Sequence, residues 1–158
     1  QAARLLGAGR VVGTVGSAAK IEAARAFGYD EVVLRDQRQS GFDVVVDPVG
    51  GPSRRASLDA LAPMGRLVVV GNASGADDVA LSPNELWLTN RSVSGFNLAA
   101  YTALDPATVG SALRRAVAGE MRVQVEVLPL AEAADAHRRI ESGSTTGKLV
   151  LNVRDVSG

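Results

Sequence analysis

The residues with the clearest chemical potential lie between Gly13 and Lys20, in the sequence GTVGSAAK. The apolar residues before them predict a buried strand that ends near Val15, and Ser17 and Lys20 then follow one helical turn apart. The second strand of a doubly wound sheet ends beside the ribose of a dinucleotide, where NAD-binding proteins place a carboxylate on the 2′-hydroxyl. Here the nearby ionic group is an ammonium, which would attract a phosphate. The segment therefore predicts a site for the 2′-phosphate of NADP.

Other interpretations of the same residues stay open. Ser17 is also a suitable N-cap for the helix predicted to follow, and Lys20 is then a solvated surface charge. A third interpretation takes Ser17 and Lys20 as the S-x-x-K motif of penicillin-recognising enzymes, which requires S-D-N and K-T-G motifs elsewhere. The sequence contains neither motif, so this interpretation is discarded.

Composition excludes several classes of function. The 158 residues suffice for one domain with a core, which must be aliphatic because only 4% of the residues are aromatic. The 17 basic residues balance 17 acidic ones without a basic stripe, which argues against a nucleic-acid partner. No cysteine is present and His137 is the only histidine, so we expect no metal site in this chain. The sequence has no apolar run of membrane-spanning length and no secretory signal, which favours a cytoplasmic protein without a membrane partner.

Strand and helix patterns alternate along the whole chain, as in an α/β fold with a parallel sheet. Predicted strands cover 10–15, 31–34, 42–47, 67–70, 92–98, 123–128 and 148–153, and predicted helices cover 1–6, 18–27, 53–61, 83–90, 106–118 and 131–140. The uninterrupted run FDVVVD from Phe42 to Asp47 suits a strand that is buried on both faces.

Three predicted strand ends share small, turn-forming residues: Thr14–Ser17, Asp47–Gly51 and Gly71–Ser74. Ligands of parallel α/β sheets bind outside the carboxyl ends of the strands, and glycine there lets the backbone approach a ligand closely. Each segment alone is more often a simple turn. Three of them at one sheet edge predict a binding groove. Asp47, next to a proline, is better explained as a structural aspartate than as a catalytic acid.

Six sequence features occur in order along nearly the whole chain: V-G-T-V-G-S from Val12, Lys20, D-P-V-G-G from Asp47, L-D-A-L-A-P-M-G-R from Leu58, G-N-A-S-G from Gly71, and Gly147-Lys148. Their order and spacing resemble the quinone oxidoreductase branch of the medium-chain dehydrogenase/reductases. The resemblance implies a Rossmann-type doubly wound sheet in which the family's first strand and glycine-rich loop would precede the first matched residue. It implies that 1–122 form a partial dinucleotide-binding domain and that 123–158 return to a catalytic lobe.

The resemblance also implies an activity and a set of cofactor-binding residues. The activity would be NADPH-dependent hydride transfer to a quinone, an enone or a related activated double bond. It places Gly16, Ser17, Lys20 and Arg35 at the adenosine phosphate, Val49 beside the ribose, Gly71, Asn72, Ala73 and Ser74 along the pyrophosphate-to-nicotinamide stretch, and Phe96, Asn97 and Leu98 at the nicotinamide. Some relatives carry a phosphate-binding arginine near the position of Gly143. The resemblance assigns no catalytic residue.

Two other functions stay open as alternatives to this activity. The same motifs occur in the enoyl reductase modules of fatty-acid and polyketide synthases, and a non-catalytic dimerisation or binding module could retain the fold. The family further implies a homodimer formed through the edge strand predicted at Ser92–Leu98. We expect the chain by itself to be inactive, because the family's phosphate-binding loop and catalytic lobe would lie outside it.

Overall fold

The computed structural model describes residues 1–154 (of Glu120, the backbone only), which contain seven strands and seven α-helices. The strands are β1 Val12–Val15, β2 Glu31–Leu34, β3 Phe42–Asp47, β4 Leu61–Val69, β5 Ser92–Gly95, β6 Val125–Pro129 and β7 Lys148–Asn152. The helices are α1 Ala2–Leu5, α2 Ile21–Arg25, α3 Pro52–Asp59, α4 Pro83–Thr89, α5 Leu98–Leu104, α6 Pro106–Arg115 and α7 Ala133–Glu141.

The chain divides into two compact units. Unit 1 comprises Gln1–Leu34 and the chain from Leu113 onward, and unit 2 comprises Arg35–Ala112. All strand pairs in both units are parallel: β1 with β2, β6 with β7, and β3, β4 and β5 in that order. This arrangement confirms the predicted α/β class with parallel sheets. The expected boundary between residues 122 and 123 stays a prediction.

In unit 1, side-chain hydrogen bonds connect segments that are distant in the sequence, in addition to the strand pairing. The Gln1 side chain donates to Arg122 O at 2.8 Å and accepts from Arg122 N at 2.7 Å, which ties the start of the chain to the segment before β6. Asp30 accepts a hydrogen bond from Val11 N at 2.6 Å and pairs with Arg4. Asp30 thereby joins α1 to the entrances of β1 and β2.

Unit 2 packs its core against one side of its sheet. Leu58 of α3 and Leu61 and Leu67 of β4 are fully buried, and half-buried apolar residues surround them: Val45, Val69, Leu81, Leu86 and Val93. On the opposite side of β3, Val44 and Val46 are exposed. The expectation that this strand is buried on both faces is therefore wrong, because the core of the unit lies on one side of the sheet only.

The largest differences from the predicted strand boundaries are at β4 and β5. β4 begins at Leu61 instead of Leu67, because Phe42 pairs with Leu61 directly after α3 and the strand continues through an irregularity at Met64 (φ +66°). β5 ends at Gly95 instead of Leu98. There Asn97 Oδ1 accepts from Ala100 N at 3.0 Å and caps α5, a helix that the sequence pattern did not predict.

Several other elements match their predictions closely. β2 and β3 have the predicted bounds, and α4 begins after Ser82, whose Oγ accepts from Glu85 N as an N-cap. The predicted helix 18–27 is a 3₁₀ turn at Ala18–Lys20 followed by α2. Within residues 1–154, no helix is both long and apolar enough to cross a bilayer.

We expect the Asp30 contacts to make the stability of the protein depend on acidity. The hydrogen bond from Val11 N, followed by that from Arg4, lowers the pKa of Asp30 below its ordinary value of 3.8. A lowered carboxyl pKa stabilises the fold above the ordinary value, and this contribution disappears as the pH falls through the folded pKa. Asp30→Asn should therefore lower the thermal midpoint at pH 7, and the difference from wild type should shrink as the pH falls below 3.8 and through the folded pKa. Asp36→Asn, in an exposed turn, is the matched control and should leave the thermal midpoint unchanged both at pH 7 and at acidic pH.

Candidate functional site

The turns that follow β3 and β4 contact each other at the carboxyl end of the sheet in unit 2. Val70 N donates to Asp47 O at 2.9 Å, Ala73 N donates to Pro48 O at 3.0 Å, and Ser74 N donates to Val49 O at 2.9 Å. The two turns therefore form one backbone-bonded surface. This is the sheet edge where parallel α/β proteins bind ligands.

Asp47 organises the first of these turns from inside the unit. Its side chain is 2% exposed, and Oδ1 accepts from Val49 N at 2.8 Å and from Gly50 N at 3.0 Å. Oδ2 accepts from Arg54 Nε at 3.1 Å. Both carboxylate oxygens are thus occupied by the protein itself, so Asp47 shapes the turn.

The glycines of these turns allow the two turns to approach each other. Gly50 and Gly51 have φ angles of +79° and +55°, which favour glycine. A Cβ at Gly50 would overlap Asn72 Oδ1, and one at Gly51 would lie 2.8 Å from Ala76 Cβ. A Cβ at Gly71 would lie 3.1 Å from Pro48 O. The sequence interpretation gave glycine the role of admitting a ligand, whereas the structure uses Gly50, Gly51 and Gly71 for contact between turns.

The segment Gly71–Ser74 combines side chains that brace its turn with backbone N–H groups that have no partner. Asn72 Nδ2 donates to Ala76 O at 3.1 Å, and Ser74 Oγ donates to Asn72 Oδ1 at 3.3 Å, so these side chains brace the turn. In the described part of the chain, the amides of Gly71 and Asn72 donate no hydrogen bond. Two adjacent unpaired N–H groups at a sheet edge can receive an anionic or carbonyl group.

The residues after β5 complete this edge. Phe96 N donates to Val69 O at 2.8 Å, which keeps Phe96 beside β4 although the strand has ended. The Phe96 ring packs on Tyr101 with a centroid distance of 5.3 Å. Asn97 uses its side-chain oxygen as the cap of α5, and Leu98 is 58% exposed. The structure therefore brings Val49, Gly71–Ser74 and Phe96–Leu98 to the same edge of one sheet.

Lys20 lines a cavity of about 350 Å³ within unit 1. The cavity lining also includes Gln124, Thr145 and Thr146, together with apolar residues of β1 and α2. No aspartate or glutamate lines it, and among the described residues Lys20 has no ion pair and neither threonine hydroxyl has a hydrogen-bond partner. An unpaired ammonium with neutral donors beside it is a binding environment for an anion.

The other residues predicted at the phosphate lie outside this cavity lining. Gly16 and Ser17 are exposed, and Ser17 stands at the N-cap position without a side-chain cap hydrogen bond. The capping interpretation of Ser17 is therefore not what the structure shows. Lys20 is half-buried, so it is not a fully solvated charge. Arg35 is exposed and begins unit 2 directly after β2.

Comparison with known proteins identifies the family. Residues 6–151 match the family described as zinc-binding dehydrogenase. The chain belongs to this family. The quinone oxidoreductase of Pseudomonas syringae pv. tomato DC3000 is 30% identical, with a TM-score of 0.77 over 94% of this chain and 50% of that protein. The match confirms the resemblance to the quinone oxidoreductase branch and the Rossmann-type fold.

Two further similar proteins show that related sequences occur in different enzymes. The 2-haloacrylate reductase of a Burkholderia species is 31% identical over 176 residues, covering 94% of this chain and 49% of that protein. A highly reducing polyketide synthase of Gibberella zeae is 32% identical over 137 residues, covering 80% of this chain and 5% of the synthase. The chain thus spans about half the length of the reductase and a small part of the synthase. Dehydrogenases and reductases of the family are NAD(P)-dependent.

The family description mentions zinc, but the residues present do not fit a zinc site. Within residues 1–154, no three His, Cys, Asp or Glu side chains are grouped so that they could hold a metal ion. The chain has no cysteine, and His137 lies exposed on α7. No step of the proposed chemistry therefore uses a metal held by this chain.

Sequence reasoning missed Arg54 and the polar residues that line the same cavity as Lys20. Arg54 follows Asp47 by seven positions, and a cation so close to a strand-end aspartate was a usable signal. Thr145 and Thr146 lie far from Lys20 along the chain, and no local pattern connects them. Only the fold brings these three residues to one cavity.

Proposed function

We propose that the protein is an NADPH-dependent oxidoreductase that transfers hydride to a quinone, an enone or a related activated double bond. The observation that carries the proposal is the cavity of unit 1, where the Lys20 ammonium has no acidic partner among the described residues. Family membership supports the coarser part of the proposal, a nicotinamide-dependent oxidoreductase. Lys20 supports the choice of NADP over NAD.

The lining of the cavity contains the Lys20 ammonium and no carboxylate, and both facts favour NADP. A carboxylate at this position would bind the 2′-hydroxyl of NAD and repel the 2′-phosphate of NADP. Lys20 attracts the phosphate, and Thr145, Thr146 and Gln124 add neutral hydrogen-bonding groups around it. An NAD molecule offers nothing at this place for the ammonium to neutralise. The preference for NADP therefore comes from Lys20 and its neighbours.

The sheet edge of unit 2 supplies the second set of contacts in the proposal. The unpaired amides of Gly71 and Asn72 bind polar groups of the cofactor, and the backbone at Phe96–Leu98 orients the nicotinamide. When bound, NADPH supplies the hydride itself. The residues of this chain hold the nicotinamide in position for hydride transfer to the acceptor. No described side chain is assigned as a catalytic acid.

A second candidate is an enoyl reductase module of a fatty-acid or polyketide synthase. The similarity to the Gibberella zeae synthase favours it. Both candidates use the same cofactor contacts and reduce a double bond conjugated to a carbonyl. They differ in the acceptor, which is a free small molecule in the first and an acyl thioester in the second.

The proposal includes a homodimer formed through β5, and a cytoplasmic location. β5 lies at an edge of the three-stranded sheet, where its free side can pair with a second copy of the chain. Phe96 N donates to β4, so the alternation of a parallel ladder turns the Gly95 N–H towards the free side. A second copy would satisfy this donor.

Replacing Lys20 should weaken the preference for NADPH. Loss of a hydrogen bond to a charged group removes about 1.5–3 kcal/mol, which corresponds to about a tenfold to hundredfold weaker affinity. We expect Lys20→Ala to raise the dissociation constant of NADPH by this factor and to leave that of NADH nearly unchanged, as measured by titration. Lys148→Ala, at the exposed start of β7, is the matched control and should alter neither. Equal weakening of both cofactors by Lys20→Ala would contradict the phosphate assignment.

Acceptor specificity should separate the two candidate activities. With NADPH in excess, we expect the intact protein to reduce simple quinones or enones with a higher kcat/KM than the corresponding enoyl thioesters. The measurement is cofactor oxidation followed by absorbance. A preference for the thioester would select the synthase module, and NADPH binding without reduction of either acceptor would indicate a non-catalytic binding module.

A charge on the β5 edge should disrupt the proposed dimer. A Cβ at Gly95 meets no atom within 4 Å in the monomer, so Gly95→Lys should fold normally while placing an ammonium at the edge. We expect sedimentation velocity to show a shift from dimer to monomer. Ala56→Lys, on the exposed side of α3, adds the same charge away from β5 and should remain dimeric. A dimeric Gly95→Lys variant would refute the edge-strand interface.

A further inference from the structure

Arg54 has an unusual position for a cation. It lies in the first turn of α3, directly behind the glycine turn that ends β3, and only 7% of the residue is exposed. Arginine is rarely buried to this extent unless its charge and its N–H groups are all matched. Its neighbour Arg55 has a side chain that is 41% exposed and pairs with Glu85 and Asp59 at the surface.

The Arg54 guanidinium contacts three separate segments of unit 2. Nε donates to Asp47 Oδ2 at 3.1 Å, at the end of β3. Nη2 donates to Gly71 O at 3.0 Å, in the turn after β4. Nη1 donates to Asp78 Oδ1, further along the same loop. One side chain therefore joins the end of β3 to the whole loop that follows β4.

Those contacts converge where the two turns touch. A Cβ at Gly50 would lie 3.2 Å from Arg54 Nη2 and would overlap Asn72 Oδ1, so Arg54 and Asn72 enclose Gly50. The Gly71 carbonyl is bonded to Arg54, which fixes the peptide plane between Gly71 and Asn72. That plane carries the N–H of Asn72, one of the two unpaired amides at the candidate binding edge. Arg54 thus determines the direction in which this amide points.

The pKa of Arg54 agrees with this role. Burial alone would lower the pKa of the guanidinium, but the hydrogen bonds to Asp78 and Asp47 raise it above its ordinary value. The cation is therefore permanent, and it balances the buried carboxylate of Asp47.

We propose that Arg54 is a positioning residue for the cofactor, holding the turns 48–51 and 71–74 in the arrangement that receives the dinucleotide. This inference rests on the proposed function. Arg54 touches neither cofactor nor acceptor in this role and acts through Asp47 and Gly71. A lysine cannot replace it, because an ammonium lacks the planar fork that reaches three acceptors in different directions.

The test compares Arg54→Lys with Arg55→Lys in the full-length protein. Both changes keep the charge and both lie on α3, but Arg55 donates its hydrogen bonds to Glu85 and Asp59 instead of to the turns. We expect Arg54→Lys to raise the dissociation constant of NADPH at least tenfold, measured by fluorescence titration, while Arg55→Lys stays within twofold of wild type. The KM for NADPH should rise in parallel, and the KM for the acceptor should not. A merely structural role would change both KM values or neither.

A second variant keeps the proposal testable if Arg54→Lys does not fold. Asp78 is exposed at its side chain (74%), so Asp78→Asn should fold while removing the ion pair that holds the end of the loop. We expect it to weaken NADPH binding several-fold. Unchanged affinity in a folded Arg54→Lys protein, or in Asp78→Asn if the first variant fails to fold, would overturn the inference while leaving the proposed function intact. A wild-type protein that binds neither NADPH nor NADH would overturn both.

Discussion

At the end of β3 the chain buries a carboxylate, and a buried carboxylate costs several kcal/mol unless hydrogen bonds and an opposite charge compensate it. Asp47 receives two backbone N–H groups from its own turn and the Nε–H of Arg54 from the next helix. These bonds require the turn to curl over the carboxylate and α3 to begin directly behind it. The turn after β4 then rests on the first turn. The candidate binding edge of unit 2 thus depends on one buried charge pair, Asp47 and Arg54.

The two cations discussed above illustrate different uses of charge. Each of the three guanidinium nitrogens of Arg54 donates a hydrogen bond to a protein group, so Arg54 stabilises the local backbone. Lys20 lies half-buried in a cavity whose lining has no carboxylate. Its ammonium can therefore pair with an anion that the described residues do not supply. A buried, fully paired charge is typical of structure, and an unpaired charge in a cavity is typical of binding.

The sequence predicted the elements of the fold well where local patterns decide them. The β-branched runs at β2 and β3 gave their strands, and the order of glycine-containing motifs identified the family. It failed at α5, because Asn97 lies inside an apolar stretch that continues the strand pattern while its side chain caps a helix. It also failed for the faces of β3, because period and hydrophobicity do not reveal which neighbour covers each face. Local burial depends on contacts between segments that are distant in the sequence.

For the candidate site, the structure brings several of the predicted segments to one sheet edge, and it gives some of their residues other contacts than the sequence predicted. Lys20 was identified from its distance to a strand end, which is a local property. Thr145 and Thr146 could not be found in this way, since only tertiary structure places them in the lining of the same cavity. The glycines at 50 and 51 were found as ligand-approach residues, yet their backbone angles serve the contact between two turns.

The contact between Gly50 and Asn72 limits how this protein can evolve. Because the space beside the Gly50 Cα is filled by the Asn72 amide, neither position can accept a larger side chain while the other stays as it is. The two positions should therefore change together among descendants of this chain, although they are more than twenty residues apart in the sequence.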